Sequence, residues 1–176
     1  MEEGRSVATT MGFTALEGVM MGRRSGSIDP GLVLHLLEQE GMTVAQVHQL
    51  LYRQSGLLGV SGLTNDMRDL LASDDPRAAE AVDLFCRRVV EEIGALAAAM
   101  GGLDALVFTG GIGQNAAPVR ERIASALGWL GAKVDKVANE AGEAAFDAEG
   151  SRIALRRIPT DEQVVIARAV REVLDL

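Results

Sequence analysis

Residues 107–115 read Val-Phe-Thr-Gly-Gly-Ile-Gly-Gln-Asn, and this stretch decides the fold class. The apolar run at residues 105–109 predicts a strand, and the glycines of residues 110–113 predict a turn. Residues 118–127 predict a helix that Asn115 or a neighbour would cap. The stretch therefore indicates a strand, a turn and a helix in immediate succession.

The same order of elements recurs near the C-terminus. Residues 153–158 predict a strand and residues 164–174 predict a helix, with Thr160 and Gln163 as its capping box. Between the two units, residues 136–150 are rich in Ala, Gly and acidic residues and predict a surface excursion. Strands that alternate with helices predict an α/β fold with parallel pairing in at least part of the sheet.

Most of the chain before residue 105 is predicted to be helical. Three helices begin at ordinary start signals, which are Asp29-Pro30, Thr43 with Gln46, and Asp75-Pro76. Residues 55–62 predict a glycine-punctuated connection, and Thr64 or Asn65 would cap a short helix after it. Residues 5–10 alternate in polarity and predict one arm of a β-hairpin. The length of 176 residues suits a single domain with its own core.

Composition argues against several classes of protein. The 17 basic and 25 acidic residues give a net charge of −8, and aromatic residues make up only 3%, so a nucleic-acid partner is not expected. The single cysteine has no partner for an internal disulfide. No apolar run approaches the roughly 18 residues of a membrane span, so no membrane partner is expected either. We expect a cytoplasmic protein.

The glycine turn is the first candidate binding site. Bare backbone N–H groups between a strand and a helix hold anions well, which favours nucleotide or phosphate binding. A turn that needs glycine only for its backbone conformation has the same spacing, so both interpretations stay open. A third interpretation is the dinucleotide fingerprint Gly111-x-Gly113-x-x-Ala116, with Asp135 in range of a ribose hydroxyl.

Three further groups carry candidate chemistry, namely Arg23 and Arg24, then Asp66, Met67 and Arg68, and finally Asp161 and Glu162. The arginine pair clamps phosphate or carboxylate, or forms a solvated turn. The Asp-Met-Arg group lines a nucleotide pocket, or is an exposed helix start. The acidic pair binds a divalent cation, or complements the dipole of the last helix. From the pattern alone, the purely structural interpretation is favoured for the arginines and for the acidic pair.

Four segments together resemble the signature motifs of acetate and propionate kinases. They are residues 11–26, MGFTALEGVMMGRRSG, and residues 66–68, 108–115 and 158–162, in the family's order. The resemblance implies the ribonuclease H-like fold of sugar kinases, actin and heat-shock chaperone ATPases, with this chain as the C-terminal half of a two-domain kinase. It also implies Mg²⁺-dependent phosphate transfer from ATP to a short carboxylate, which yields acetyl phosphate and ADP, and a homodimer formed through this half.

The resemblance also implies roles for matched residues. Arg24 matches the arginine that stabilises the transferring phosphoryl group, and Glu162 matches a carboxylate associated with Mg²⁺. Arg23 stands where the family usually has Thr, and Gln114 where it usually has Glu. The residues matched to nucleotide contacts are Asp66, Met67, Arg68, Gly111, Ile112, Gly113, Gln114 and Asn115.

Other family motifs are not found in these 176 residues. They are a His-Leu-Gly-Asn-Gly phosphate segment, a catalytic Asp, a second Arg and an N-terminal Asn/Ser phosphate turn. We therefore expect residues 1–176 to be a nucleotide-binding and dimerisation domain without the N-terminal domain, which binds ATP or ADP weakly and does not turn over acetate alone. A noncatalytic nucleotide-binding or dimerisation module and a dinucleotide-binding domain are the alternatives.

Overall fold

A computed structural model describes residues 1–174, with the exception of the side chain of Glu162. Its helices are α1 (Pro30–Glu38), α2 (Val44–Arg53), α3 (Gly56–Ser61), α4 (Met67–Leu71), α5 (Pro76–Ala99), α6 (Gly110–Asn115), α7 (Ala117–Ala126), α8 (Lys136–Ala141) and α9 (Glu162–Leu174). Its strands are β1 (Ala105–Phe108) and β2 (Ala154–Arg157). The α/β fold class expected from the sequence is confirmed.

The two strands lie side by side and run parallel, with Ala105 opposite Ala154 and Phe108 opposite Arg157. Both predicted strands are therefore confirmed, and so is their parallel pairing. Because parallel strands point their carboxyl ends to the same edge, the segments after β1 and after β2 emerge next to each other. This edge is where the glycine stretch leaves the sheet.

The core lies between the strand pair and helices α5 and α7. Leu155 of β2 is fully buried, and the ring of Phe146 lies 5.7 Å from that of Phe108. On the other side, α5 presents Ala78 and Ala81, both fully buried, and these small side chains allow neighbouring helices to approach closely. The core thus holds β1 and the start of α6 in a fixed position.

The three predicted helix starts are confirmed. The carboxylates of Asp29 and Asp75 each accept the backbone N–H two residues later, at 2.8 Å and 2.9 Å. Thr43 and Gln46 form the reciprocal capping box. These caps satisfy backbone donors that a helix cannot satisfy itself, which explains why they mark the starts so clearly.

Two glycine stretches are helical where the sequence predicted connections. Residues 56–61 form α3, and residues 110–113 belong to α6 rather than to a turn. In both cases the first glycine has a left-handed φ, +64° at Gly56 and +69° at Gly110, and the following residues are helical. Glycine here sets the angle at which a short helix begins, and it does not interrupt regular structure.

Three predicted caps are wrong. Asp66 caps α4 in place of Thr64 or Asn65, and its carboxylate accepts the N–H of Arg68 at 2.9 Å. The Asp161 carboxylate accepts the N–H of Val164 at 3.1 Å, so it takes the place of the Thr160–Gln163 box at α9. Asn115 does not cap α7: its neighbour Ala116 occupies the N-cap position without a side-chain hydrogen bond, and the Asn115 amide donates to the Gly111 carbonyl at 2.9 Å. In the first two cases an Asp directly before the helix supplies the cap, as this residue type commonly does.

Two longer segments also differ from expectation. Residues 5–10 form no strand, and the only pairing nearby in the described chain is an isolated bridge between Glu2 and Arg5. A lone strand leaves its backbone groups without partners, which explains why alternation alone does not produce one. Residues 136–150 are no mere surface excursion, because they contain α8 and Phe146, which is only 1% exposed.

Helix α9 is the most exposed of the longer helices. Residues 163–174 are exposed along the whole helix, including Val165 at 65% and Ile166 at 64%. The backbone N–H of Ile158 donates to the carbonyl of Phe108 at 3.0 Å, so the segment before α9 is tied to the end of β1. In the part of the chain that the structure describes, no helix is long and apolar enough to cross a bilayer.

Candidate functional site

Two of the predicted groups of site residues meet in one cleft. The α4–α6 cleft has a volume of about 670 Å³ and is lined by Asn65, Asp66, Met67, Arg68, Gly111, Ile112, Asn115 and Ala116. Met67 and Ala116 are buried and supply an apolar floor, whereas Asp66, Arg68 and Asn115 supply polar groups at its edge. An apolar floor with a few polar groups is the usual form of a small-molecule site.

Asp66 and Arg68 form a tight local pair at the start of α4. The Arg68 Nε donates to Asp66 Oδ1 at 3.1 Å, and its Nη2 lies 2.6 Å from Oδ2. The hydrogen bonds from Arg68 lower the pKa of Asp66 from 3.8 to about 2, so the carboxylate stays ionised at neutral pH. The Arg68 side chain is 83% exposed, which leaves its remaining N–H groups open to a ligand.

The same local arrangement occurs a second time, at the start of α5. Arg77 binds the Asp75 carboxylate with the same atoms, at 3.1 Å and 2.7 Å, and the pKa of Asp75 is likewise lowered to about 2. That pair lies outside the α4–α6 cleft. The geometry of Asp-x-Arg is therefore that of a helix cap, and only its position in the cleft distinguishes Asp66 and Arg68.

Helix α6 forms the opposite wall of the cleft. A Cβ added at Gly113 would lie 3.3 Å from the backbone of Phe108, so this glycine permits close packing on β1. A Cβ at Gly111 would meet nothing within 4 Å, so packing does not require glycine here. The absence of a side chain leaves more space in the cleft. Gly113 and Gln114 do not line the cleft, whereas Gly111, Ile112 and Asn115 do.

Arg120 supports α6 from inside the core, and sequence reasoning missed it. This side chain is only 2% exposed, and it donates to the carbonyls of Gly113 and Gln114 at 3.0 Å and 2.9 Å. It also donates to the side-chain and backbone oxygens of Asn139, both at 2.8 Å. Burial, and to a lesser degree the charge of Arg157, lower the pKa of Arg120. The sequence does offer a signal for a buried Arg120, because it lies on α7 next to Val119 and three residues before Ile123, and both of these are buried.

Gln114 joins the two segments that leave the sheet edge. We assign its amide the orientation with Oε1 toward the N–H of Gly110, at 3.2 Å, because the opposite orientation would set Nε2 against the N–H groups of Gly110 and Thr160. The same oxygen accepts from the Thr160 hydroxyl at 3.2 Å and from the Thr160 N–H at 3.1 Å. Gln114 and Thr160 are far apart in sequence, so this contact fixes the segment before α9 against α6.

The structure does not bring Arg24 into the α4–α6 cleft. Its guanidinium lies 5.9 Å from the centre of the Tyr52 ring and 3.9 Å from the sulfur of Met21. Its neighbour Arg23, to which the resemblance assigned no role, donates from Nε to the Asn65 side-chain oxygen at 3.2 Å. Residues 20–26 therefore adjoin the cleft through Arg23 and Asn65, and a catalytic role for Arg24 stays a prediction.

Known proteins confirm the resemblance. The model of the acetokinase family matches residues 1–168. The chain belongs to the acetokinase family. It is 56% identical over 173 residues to an acetate kinase of Rhodopseudomonas palustris strain TIE-1, and this match covers 97% of the chain. It is 47% identical over 175 residues to an acetate kinase of Methylocella silvestris.

Solved structures agree with the acetokinase assignment. The crystal structure of Porphyromonas gingivalis acetate kinase matches 94% of the chain with a TM-score of 0.85 and 37% identity. That of a propionate kinase from Francisella tularensis matches 90% with a TM-score of 0.84 and 39% identity. The chain spans 44% of the length of the Rhodopseudomonas relative and 43% of the Porphyromonas structure. The matched part of the chain thus has the fold of the corresponding part of acetate and propionate kinases.

The dinucleotide interpretation is not supported in this acetokinase fold. Asp135 caps α8 by accepting the N–H of Ala138 at 3.0 Å, and its neighbour Val134 makes an isolated antiparallel bridge with Asp147. A dinucleotide site needs the acidic residue at the end of a strand parallel to the first, and here that parallel partner is β2, which begins at Ala154.

The metal prediction for this acetokinase chain falls on Glu162, whose side chain lies outside the described part of the structure. Its neighbour Asp161 already accepts the N–H of Val164 through Oδ1. Among the described residues there is no group of three or more His, Cys, Asp or Glu side chains that could hold a metal ion. Mg²⁺ commonly needs only one or two protein carboxylates, because nucleotide phosphates and water supply the remaining ligands.

Proposed function

We propose that this chain supplies the nucleotide-binding part of an ATP:acetate, or related short-chain carboxylate, phosphotransferase, and that ADP or ATP binds in the α4–α6 cleft. The observation that carries the proposal is the meeting of Asp66–Arg68 with Gly111–Asn115 around one space of about 670 Å³. A flat base fits an apolar floor, ribose hydroxyls suit carboxylate and amide acceptors, and an exposed guanidinium suits phosphate.

Binding is expected to be weak. The described cleft contains one cationic side chain, Arg68, which already serves Asp66, so little positive charge is left for a polyphosphate. Isothermal titration with ADP and with NAD tests this proposal, and ADP should bind more tightly than NAD. Equal or tighter binding of NAD would refute the nucleotide assignment.

Two matched pairs of variants locate the site. Arg68→Gln should weaken ADP binding, whereas Arg77→Gln removes the same kind of contact outside the cleft and should not. Gly111→Ala should weaken binding by projecting a methyl group from the cleft wall, whereas Gly128→Ala should not. A Cβ at Gly111 or at Gly128 meets nothing within 4 Å, so neither change disturbs packing. Equal affinities within each pair would place the nucleotide elsewhere.

The residues of this chain do not complete a catalytic centre by themselves. Phosphoryl transfer requires groups that position both substrates and neutralise charge around the transferred group, and such groups act as a unit. The residues matched to catalytic and metal-binding roles are Arg24 and Glu162, and Arg24 does not line the cleft. Bound Mg²⁺ would neutralise phosphate charge, with Glu162 as its protein ligand. We expect no acetyl phosphate formation by the 176-residue chain alone above background.

An acetyl phosphate assay on the purified chain tests this expectation, with Arg24→Ala as the control for contaminating host enzyme. Activity that the substitution abolishes would show that the 176 residues suffice for turnover. A homodimer, which the resemblance implies, and a cytoplasmic location, which the composition predicts, also belong to the proposal. Light scattering across micromolar concentrations tests the dimer, and a monomer mass throughout would contradict it.

A further inference from the structure

We infer that Gln114 is a positioning residue, which transmits the presence of a ligand in the α4–α6 cleft to the segment that precedes α9. The inference rests on the proposed function, because the ligand is taken to be a nucleotide. Gln114 itself does not line the cleft, but Gly111, Ile112 and Asn115 of the same short helix do. A ligand that orders α6 therefore orders Gln114 as well.

The side chain of Gln114 contacts donors on two segments of the chain. A single oxygen, Oε1, faces the N–H of Gly110, the N–H of Thr160 and the Thr160 hydroxyl, all within 3.2 Å. The first of these donors begins α6, and the other two lie after β2. Gln114 thus bridges the two segments that leave the same edge of the parallel strand pair.

Among the described residues, the segment on the far side of this bridge makes few other hydrogen bonds to the rest of the chain. Residues 158–161 are exposed, and so is every residue of α9 from 163 to 174. The backbone bond from Ile158 to Phe108 anchors the first residue of the segment, and Gln114 anchors the third, Thr160. The orientation of α9 relative to the sheet edge therefore depends on whether the Gln114 contact is made.

A carboxylate at position 114 can make the same contact, whereas a hydrocarbon cannot. Glutamate has acceptor oxygens at the same reach as the Gln114 oxygen, so Gln114→Glu keeps acceptors for all three donors. Methionine has similar length without an oxygen, so Gln114→Met leaves the N–H groups of Gly110 and Thr160 without this partner. Gln114 is half-buried at the surface of the core, which makes both substitutions compatible with folding.

Hydrogen exchange of the Thr160 amide measures the bridge directly, because that N–H is one of the donors. Without nucleotide, exchange should be about fivefold faster in Gln114→Met than in wild type, as expected for loss of one ordinary hydrogen bond. Gln114→Glu should restore slow exchange. Saturating ADP should slow Thr160 exchange further in wild type and in Gln114→Glu, and should leave it unchanged in Gln114→Met.

The outcomes separate this inference from the proposed function. If ADP does not bind to wild type, the proposed function fails, and ligand transmission through Gln114 fails with it, even if exchange without ADP confirms the bridge. If ADP binds and Thr160 exchange does not respond, or responds equally in Gln114→Met, only the inference is overturned. Should Gln114→Met not fold, Gln114→Ala, which also lacks the oxygen, takes its place, and the same outcomes decide.

Discussion

Replacing Arg120 with methionine removes a buried cation and keeps most of the volume of its stem. The wild-type guanidinium makes four hydrogen bonds, to the carbonyls of Gly113, Gln114 and Asn139 and to the Asn139 side chain. Each buried acceptor that loses its donor lowers stability by roughly 1–3 kcal/mol. The substitution also removes the desolvation cost of the buried charge, which offsets part of this loss. We expect Arg120→Met to lower the free energy of unfolding by about 3–5 kcal/mol.

Urea denaturation followed by circular dichroism measures this loss, and Arg122→Met is the matched control. Arg122 lies on the same helix, α7, and pairs with Asp83 at the surface, where it is 46% exposed. Surface ion pairs contribute about 0–1 kcal/mol, so the control should change little. If the two variants lose equal stability, the support that Arg120 gives to α6 has been overestimated.

Three other substitutions or titrations follow from the same structure. Gly56→Ala should unfold at a clearly lower temperature than Gly41→Ala. Both glycines have φ +64°, so the backbone strain of the substitution is the same. A Cβ at Gly56 would lie 2.0 Å from a backbone oxygen, whereas a Cβ at Gly41 meets nothing within 4 Å. An NMR titration should give Asp66 a pKa of about 2, and Arg68→Gln should raise that pKa toward 3.8. Because folding lowers this pKa, the ion pair stabilises the folded state above pH 3.8, and this contribution is lost as the pH falls toward 2. Burial raises the pKa of the Cys86 thiol to about 11, so iodoacetamide at pH 8 should modify it slowly in the folded chain and rapidly in urea.

The parts of the fold that depend on local chemistry could be predicted from the sequence. Asp-Pro pairs and a Thr-x-x-Gln box identified the starts of α1, α2 and α5, because each cap satisfies donors within its own turn. Both strands and their parallel relation followed from the apolar runs and the helices between them. Local reasoning failed where glycine begins a helix, because a glycine with a left-handed φ is as typical of a turn as of the first residue of a short helix.

The candidate site was predictable only in part. The motifs identified Asp66–Arg68 and Gly111–Asn115, and the structure unites them in one cleft. The supports behind the cleft were not predictable, because Arg120 and Asn139 meet across 19 residues and Gln114 and Thr160 across 46. Such contacts carry no periodic or capping signal. Arg24 is the opposite case: its motif identified it as a candidate site residue, but its side chain does not line the cleft.

The parallel pairing of β1 with β2 has a consequence for how the chain folds. Among helices α1 to α5, the main contacts join α1 with α2 and join α3 and α4 with α5, which are close in sequence. The strand pair, in contrast, unites Ala105 with Ala154 across 49 residues. Contacts between residues so far apart must overcome the entropy of closing a long loop, so they form late and slowly. Helix α6 lies at the start of that loop. Arg120, which holds the end of α6, and its partner Asn139 both lie within the loop. Refolding should therefore restore helical circular dichroism before the chain regains its cleft, and nucleotide binding should appear with the slowest phase.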